Sequence, residues 1–375
     1  MLAHYMPWYE SAEFRGGWSG HWTGFDSAHD PGRTEADGLP DIWSHFHPLI
    51  GPYDSADPAL IECHLAQMKL AGIDGVVVDW YGVAETADYP AIHRASCALF
   101  DAAAGFDMRV AACYEDRVVQ LMLDRGTLSA GGAEARIHDD VAWLARHWFG
   151  KPQYLKIEGR PLLLTFGPIY ATAPSTWSTA FAGISPKPLF FGLHHLWRKV
   201  GADGGFTWIH WDPWSGNTDP KVIEQRLRKV YALASEDPET LIVSAFPGFR
   251  AVYKNEPYPV LEHHAGRTLK QSLDTALKSK SPIVQLVTWN DYGEGTMIEP
   301  THEFGYACLE IVQAARKEER GGVFPYSAAD LRLPEQLYRA RKVGKAPADD
   351  LDRIAAALRR GDCATAATAL AALAP

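Results

Sequence analysis

The chain has 375 residues, 47 % hydrophobic and 22 % charged, an ordinary globular composition that excludes a disordered chain and leaves room for one large domain. A formal net charge of −10 excludes affinity for a nucleic-acid backbone or an anionic membrane surface, and no apolar run reaches membrane-spanning length. Cys63, Cys97, Cys113, Cys308 and Cys363 are scattered without a C-x-x-C pair, so their spacing signals neither a zinc knuckle nor a disulfide framework.

The first strand is expected at Leu2 to Tyr9, LAHYMPWY, with Trp8 and Tyr9 at its end. No basic region with an apolar segment precedes it, so a cytoplasmic protein is expected. The stretch to Tyr53 has no sustained period and is rich in Gly, Trp, His and Pro, including His21, Trp22 and Trp43. A structureless loop of that length inside a domain is usually functional. Asp57 to Gly72 has helical spacing, opened by Asp57-Pro58 and closed by Gly72. Gly75 to Trp80, GVVVDW, is the near-continuous apolar run of a parallel strand buried on both faces, ending in Asp79, Trp80 and Tyr81.

The same unit then recurs. Helices are predicted at Pro90 to Gly105, Glu134 to Phe149, Ala173 to Gly183, Pro220 to Ala234, Thr268 to Lys280 and Glu303 to Glu319. Strands are predicted at Arg109 to Tyr114, Pro161 to Phe166, Pro188 to His194, Phe206 to Trp211, Leu241 to Phe246 and Ile283 to Trp289. Eight strands alternating with helices predict an α/β fold, a (β/α)8 TIM barrel over 1–320, with 321–375 as a C-terminal helical extension packed on it. In such barrels the chemistry sits at the C-terminal ends of the strands, where Asp79, Glu115, His194, His210, Trp211 and Asp212 fall.

The stretch that carries the chemistry follows the eighth strand, at Val287 to Pro300, VTWNDYGEGTMIEP. There the apolar pattern stops, Asp291 and Glu294 flank Gly293, and Trp289, Asn290 and Tyr292 surround them. Two carboxylates converging on one cleft are what glycosidic cleavage needs, one protonating the leaving oxygen and the other activating water or a nucleophile. Aromatic neighbours offer flat faces on which sugar rings stack. Glu299 either orients Asp291 or holds the loop. The pairs His194-His195 and His263-His264 point to opposite faces of the chain and have no third ligand at a diagnostic spacing, so no metal is expected.

HYMPWY, the stretch GPYDSADPALIECHLAQMKLAGIDGVVVDWYG from Gly51 to Gly82, and WNDYGEGTMIEP together resemble glycoside hydrolases of families 71 and 99 and the WbsX-like proteins of bacterial polysaccharide clusters. The resemblance covers roughly residues 3 to 318. It implies a cofactor-independent barrel acting on an α-linked oligosaccharide or polysaccharide, with Glu294 as general acid and Asp291 as the base of an inverting displacement. An Asp at 291 is similar to family 71, where family 99 has Glu, whereas GPYDSADP is closer to family 99. An acid must stay protonated while its partner ionises, so Glu294 is expected in the drier environment. Asp79, Tyr81, Glu115, His194, His210 and Asp212 are candidates for binding sugar hydroxyls, and Trp8, Tyr9, Trp80, Trp211 and Tyr292 for stacking. The competing reading is a non-catalytic glycan-binding or polysaccharide-biosynthesis accessory protein; a glycosyl transferase is weaker, without a nucleotide-phosphate motif or a D-x-D at a strand end.

Overall fold

The computed structural model describes residues 1–209, 219–237, 240–253 and 258–373. Eight parallel strands close on themselves, each beside its sequence neighbour: β1 Leu2–Tyr5, β2 Gly75–Trp80, β3 Arg109–Tyr114, β4 Arg160–Thr165, β5 Leu189–Leu193, β6 Gly204–Phe206, β7 Leu241–Ala245 and β8 Val284–Leu286. The seam is shut by β8 against β1, with Leu2 opposite Gln285. This is a (β/α)8 barrel. No described helix is long and apolar enough to cross a membrane.

Alternation along each strand divides the core in two. Leu2, Val77, Ala111, Cys113, Leu162, Leu164, Phe191, Phe206 and Ile242 fill the barrel interior. Ala3, Val76, Val78, Trp80 and Val110 face outward and join the side chains of the surrounding helices. These are α1 Pro58–Ala71, α2 Tyr89–Ala103, α3 Ala133–His147, α4 Pro174–Ala180, α5 Pro220–Tyr231, α6 Arg267–Leu277 and α7 Ala307–Glu319. α1 starts as its sequence dictates: the Asp57 carboxylate accepts from the Ala59 N–H at 2.9 Å, Pro58 takes the first turn, and Gly72 closes the helix at φ 83°. Such a cap is worth about 1 kcal/mol.

Three expectations shift, the first being that β1 ends at Tyr5, short of Tyr9. The sixth strand lies at Gly204–Phe206, earlier than Phe206 to Trp211, because two glycines do the work of a strand there. A Cβ on Gly204 would lie 2.5 Å from the Phe191 ring and 2.8 Å from the Thr240 carbonyl, so only glycine lets β6 sit this close to its neighbours. His210, Trp211 and Asp212 lie outside the described residues. The eighth strand is also shorter than Ile283 to Trp289, so the acidic motif is carried by a loop.

Beyond α7 the chain forms α8 Leu333–Val343, α9 Ala348–Arg360 and α10 Cys363–Leu373. Glu62 on α1 anchors them. Its carboxylate is nearly buried and pairs with Arg341 on α8 at 2.9 Å and Arg359 on α9 at 2.7 Å.

Candidate active site

The loop from Val287 to Pro300 is a tight, internally bonded structure. The Thr288 N–H donates to the Thr296 carbonyl at 2.9 Å, the Thr296 N–H to the Asp291 carbonyl at 3.1 Å, and the Ile298 N–H to the Thr288 carbonyl at 3.0 Å. It is pinned to β1, where the Trp289 N–H donates to the His4 carbonyl and the Asn290 amide exchanges two bonds with the Met6 backbone, at 2.8 and 3.0 Å. Inside the turn the Thr288 hydroxyl accepts from the Asp291 N–H, and Asp291 Oδ1 accepts from the Glu294 N–H, both at 2.8 Å. Both acids therefore belong to one rigid loop. The positive-φ glycine is Gly295, at 65°, not Gly293. A Cβ on Gly293 would lie 2.7 Å from the Tyr253 hydroxyl, so that side chain sits close over the turn.

Asp291 and Glu294 line a cavity of about 750 Å³ at the C-terminal ends of the strands. Asp79 near the end of β2, Tyr81 just beyond it and Glu115 after β3 join them, as does Trp8 after β1. The long segment after β1 supplies another wall with His21, Phe25 and Trp43. His21 stacks on Trp8 at 4.4 Å and reaches Asp88 at 3.3 Å, and Tyr81 stacks on Tyr89 at 4.6 Å.

The cleft is acidic, and several of its acids are buried. Asp291 is 2 % exposed, and burial above all, with Asp79 adding to it, pushes its carboxyl up to about 7 against hydrogen bonds from the Glu294 and Gly293 N–H groups. Glu115 is also held well above the carboxylate range, by burial first and then by the charge of Asp79, with Asp116 and Glu294 adding to it against Arg117. Glu294 is only half-buried. The expectation that Glu294 occupies the drier environment is thus overturned: the loop buries the first acid and leaves the second on the cavity wall.

Several expected contacts stand behind the wall. Trp80 faces outward, packs against Trp143 and Trp148, and donates to His93 at 3.1 Å. Tyr9 is buried with its hydroxyl donating to the Asn290 carbonyl at 2.9 Å and accepting from the Tyr292 N–H at 3.1 Å. Trp289, Asn290 and Tyr292 are fully buried under the loop, so they hold it and do not present a stacking surface. His194, half-buried beside His195 and lowered to about 4 by burial and that neighbour, does not line the cavity. His263 spends Nε2 on the Gly295 carbonyl at 2.8 Å.

Glu299 holds the loop. Its carboxylate, 3 % exposed, accepts from the Tyr53 hydroxyl at 2.8 Å and lies 3.0 Å from His64 Nε2. His64 Nδ1 meets the Tyr5 hydroxyl at 3.0 Å, and the Asn290 amide donates to the Tyr53 hydroxyl at 3.1 Å. The consistent tautomer has Tyr5 donating to Nδ1 and the Nε2–H donating to Glu299. Sequence reasoning missed His4, Tyr253, Arg117 and Arg125 in the cavity lining. Only His4 left a signal, as the one polar residue in the strand LAHY.

A model of glycosyl hydrolase family 99 matches residues 1–187. Over these residues the chain is similar to family 99 glycoside hydrolases. Of the two families that its motifs resemble, the match is therefore to family 99. The family 99-like chain is 25 % identical over 282 residues to a glycoprotein endo-α-1,2-mannosidase-like protein of Danio rerio, covering 69 % of this chain and 60 % of that one. To the glycoprotein endo-α-1,2-mannosidase of Rattus norvegicus it is 23 % identical over 328 residues, 79 % and 67 % of the two chains. It thus spans about two thirds or less of these relatives. The solved GH99 endo-α-mannosidase of Bacteroides thetaiotaomicron superposes with a TM-score of 0.64 at 19 % identity, over 86 % of this chain and 97 % of that one, a likeness of fold.

Proposed function

We propose that the chain hydrolyses an α-linked glycan in this cavity, with Asp291 as general base and Glu294 as general acid. The observation that carries the reading is one rigid loop that sets two carboxylates on the same aromatic-walled cavity and pushes Asp291 up to about 7, the range in which a base works near neutral pH. Asp291 takes a proton from water as the water oxygen bonds to the anomeric carbon. The glycosidic C–O bond breaks on the opposite face, and its oxygen takes the proton of Glu294. The products are a sugar of inverted anomeric configuration and a free alcohol. Asp79, Tyr81 and Glu115 bind hydroxyls of the sugar, and Trp8 and Trp43 border it. The endo-α-mannosidase relatives make α-mannosides the first substrates to test.

Burial favours a second reading, with the roles exchanged, because the drier Asp291 is the group that stays protonated. Leaving groups separate the two. Reducing-end release from α-mannans and α-glucans is measured for the native protein, Asp291→Asn and Glu294→Gln, alongside hydrolysis of glycosyl fluorides, which need no acid. On our reading both variants lose about 10²–10⁴-fold on glycans, and only Glu294→Gln recovers on the fluoride. Recovery by Asp291→Asn alone exchanges the roles, and unimpaired variants remove the pair from catalysis.

A further inference from the structure

Three polar side chains converge inside the barrel below the cavity floor. Asp79 and Cys113 are register partners on β2 and β3, so their side chains lie side by side on the inward face. His4 on β1 sits opposite Val77, one step below Asp79, with its Nε2 3.9 Å from Asp79 Oδ1. One donor atom from each residue, imidazole nitrogen, carboxylate oxygen and thiol sulfur, lies within 4.8 Å of the others. His4 and Cys113 are 0 % exposed and Asp79 is 2 % exposed.

The second observation concerns His4 itself. Neither of its ring nitrogens has a hydrogen-bond partner, although the residue is fully buried and lines the cavity. Buried polar groups are almost always satisfied, so this imidazole is set up for a partner arriving from the cleft. The field there is attractive to a cation. Asp79, Glu115, Asp291 and Glu294 surround the cavity, and Arg117 and Arg125 are the only Arg or Lys among its described lining residues.

We infer that His4, Asp79 and Cys113 form a binding site for a thiophilic divalent cation, Zn²⁺, at the base of the cleft, where the ion competes with the glycan. The donor set selects the metal. Nitrogen, oxygen and sulfur ligands on three sides suit Zn²⁺, with the fourth position open to the cavity and a water, whereas Mg²⁺ and Ca²⁺ take oxygen ligands and avoid thiolate. Tetrahedral Zn²⁺ with bonds of about 2.0–2.3 Å sets its donors roughly 3.3–3.6 Å apart. Small side-chain rotations close the triad to that spacing. Burial, with Asp79 and Glu115 adding to it, keeps the Cys113 thiol protonated, so binding exchanges a proton for the metal: the S–H bond breaks, the Zn–S bond forms and one H⁺ leaves to solvent. Affinity therefore rises with pH. Ligands drawn from three strands escape any spacing rule, so the sequence gives no hint of the site.

The test begins with spectroscopy, which is independent of the proposed activity; only the inhibition experiment rests on it. Co²⁺ is titrated into the native protein and Cys113→Ser, and Zn²⁺ binding is measured by calorimetry in two buffers of different protonation enthalpy. The native protein is expected to bind one ion, develop the thiolate-to-cobalt charge-transfer band and release a proton. Cys113→Ser is expected to lose the band and at least tenfold in Zn²⁺ affinity. In glycan hydrolysis, Zn²⁺ is expected to raise KM without changing kcat, and Cys113→Ala to keep basal activity but lose that sensitivity. Co²⁺ bound without a charge-transfer band overturns the site, as does Zn²⁺ affinity unchanged in Cys113→Ser or no binding by the native protein. Should the Cys113 variants not fold, the band and the proton release of the native protein decide alone.

Discussion

Removing the Glu299 carboxylate tests how the acidic loop is held. In Glu299→Ala the Tyr53 hydroxyl and the His64 Nε2–H lose their acceptors, in surroundings where Tyr53 is 3 % and His64 0 % exposed. Each buried donor left without a partner costs about 1–3 kcal/mol, so losing both acceptors costs about 2–6 kcal/mol. Glu299→Gln keeps one amide oxygen as acceptor but turns its NH2 toward the second donor, so it loses one of the two bonds, about 1–3 kcal/mol. The expected order of stability is native, then Gln, then Ala, read from urea denaturation. Because Tyr53 also accepts from Asn290, next to Asp291, the acids shift with the network. Misplacement by about 1 Å costs on the order of 10² in kcat. An Ala variant within about 1 kcal/mol of the native protein, with unchanged kcat, refutes the positioning role.

Three further outcomes follow from the geometry. With Asp291 as base, kcat/KM falls as pH drops through about 7, and Asp79→Asn moves that limb to lower pH by removing a charge that raises the Asp291 carboxyl; a limb that stays in place contradicts the coupling. The folded form binds this proton more tightly than the unfolded chain, whose reference is 3.8, so this group's contribution to stability is full below about 4 and is lost as pH rises through about 7. A native-minus-Asp291→Asn stability difference that does not change across that window contradicts the assignment. Gly204→Ala presses a Cβ into the Phe191 ring and the Thr240 carbonyl and is expected to cost about 1–3 kcal/mol by denaturant midpoint; an unshifted midpoint contradicts the packing given for β6.

What the sequence made legible follows from how locally each feature is determined. β2 and β3 are apolar runs buried on both faces, and their bounds are as expected from the pattern alone. β6 was hidden because its first two residues are glycines, whose use as a strand depends on the bulk of Phe191 across the register. At the ends of the strands, composition identifies polar and aromatic residues but not the face they take. Asp79 points into the barrel and Trp80, one residue on, points out to Trp143 and Trp148, although both end the same strand. Asp291 and Glu294 were legible as a pair because the apolar pattern breaks at that point. Their relative burial was not, since it depends on how β1 and the Tyr53–Glu299–His64 network hold the loop from residues far away in the chain.

Hydrolysis of an α-linked glycan with inversion by Asp291 and Glu294 is tested by 1H NMR of the anomeric protons while the native protein cuts such a glycan. A β reducing end is expected to appear first and then mutarotate, with neither Asp291→Asn nor Glu294→Gln producing it at a comparable rate. An α reducing end appearing first contradicts inversion. Binding without any new reducing end contradicts hydrolysis itself and supports a glycan-binding protein.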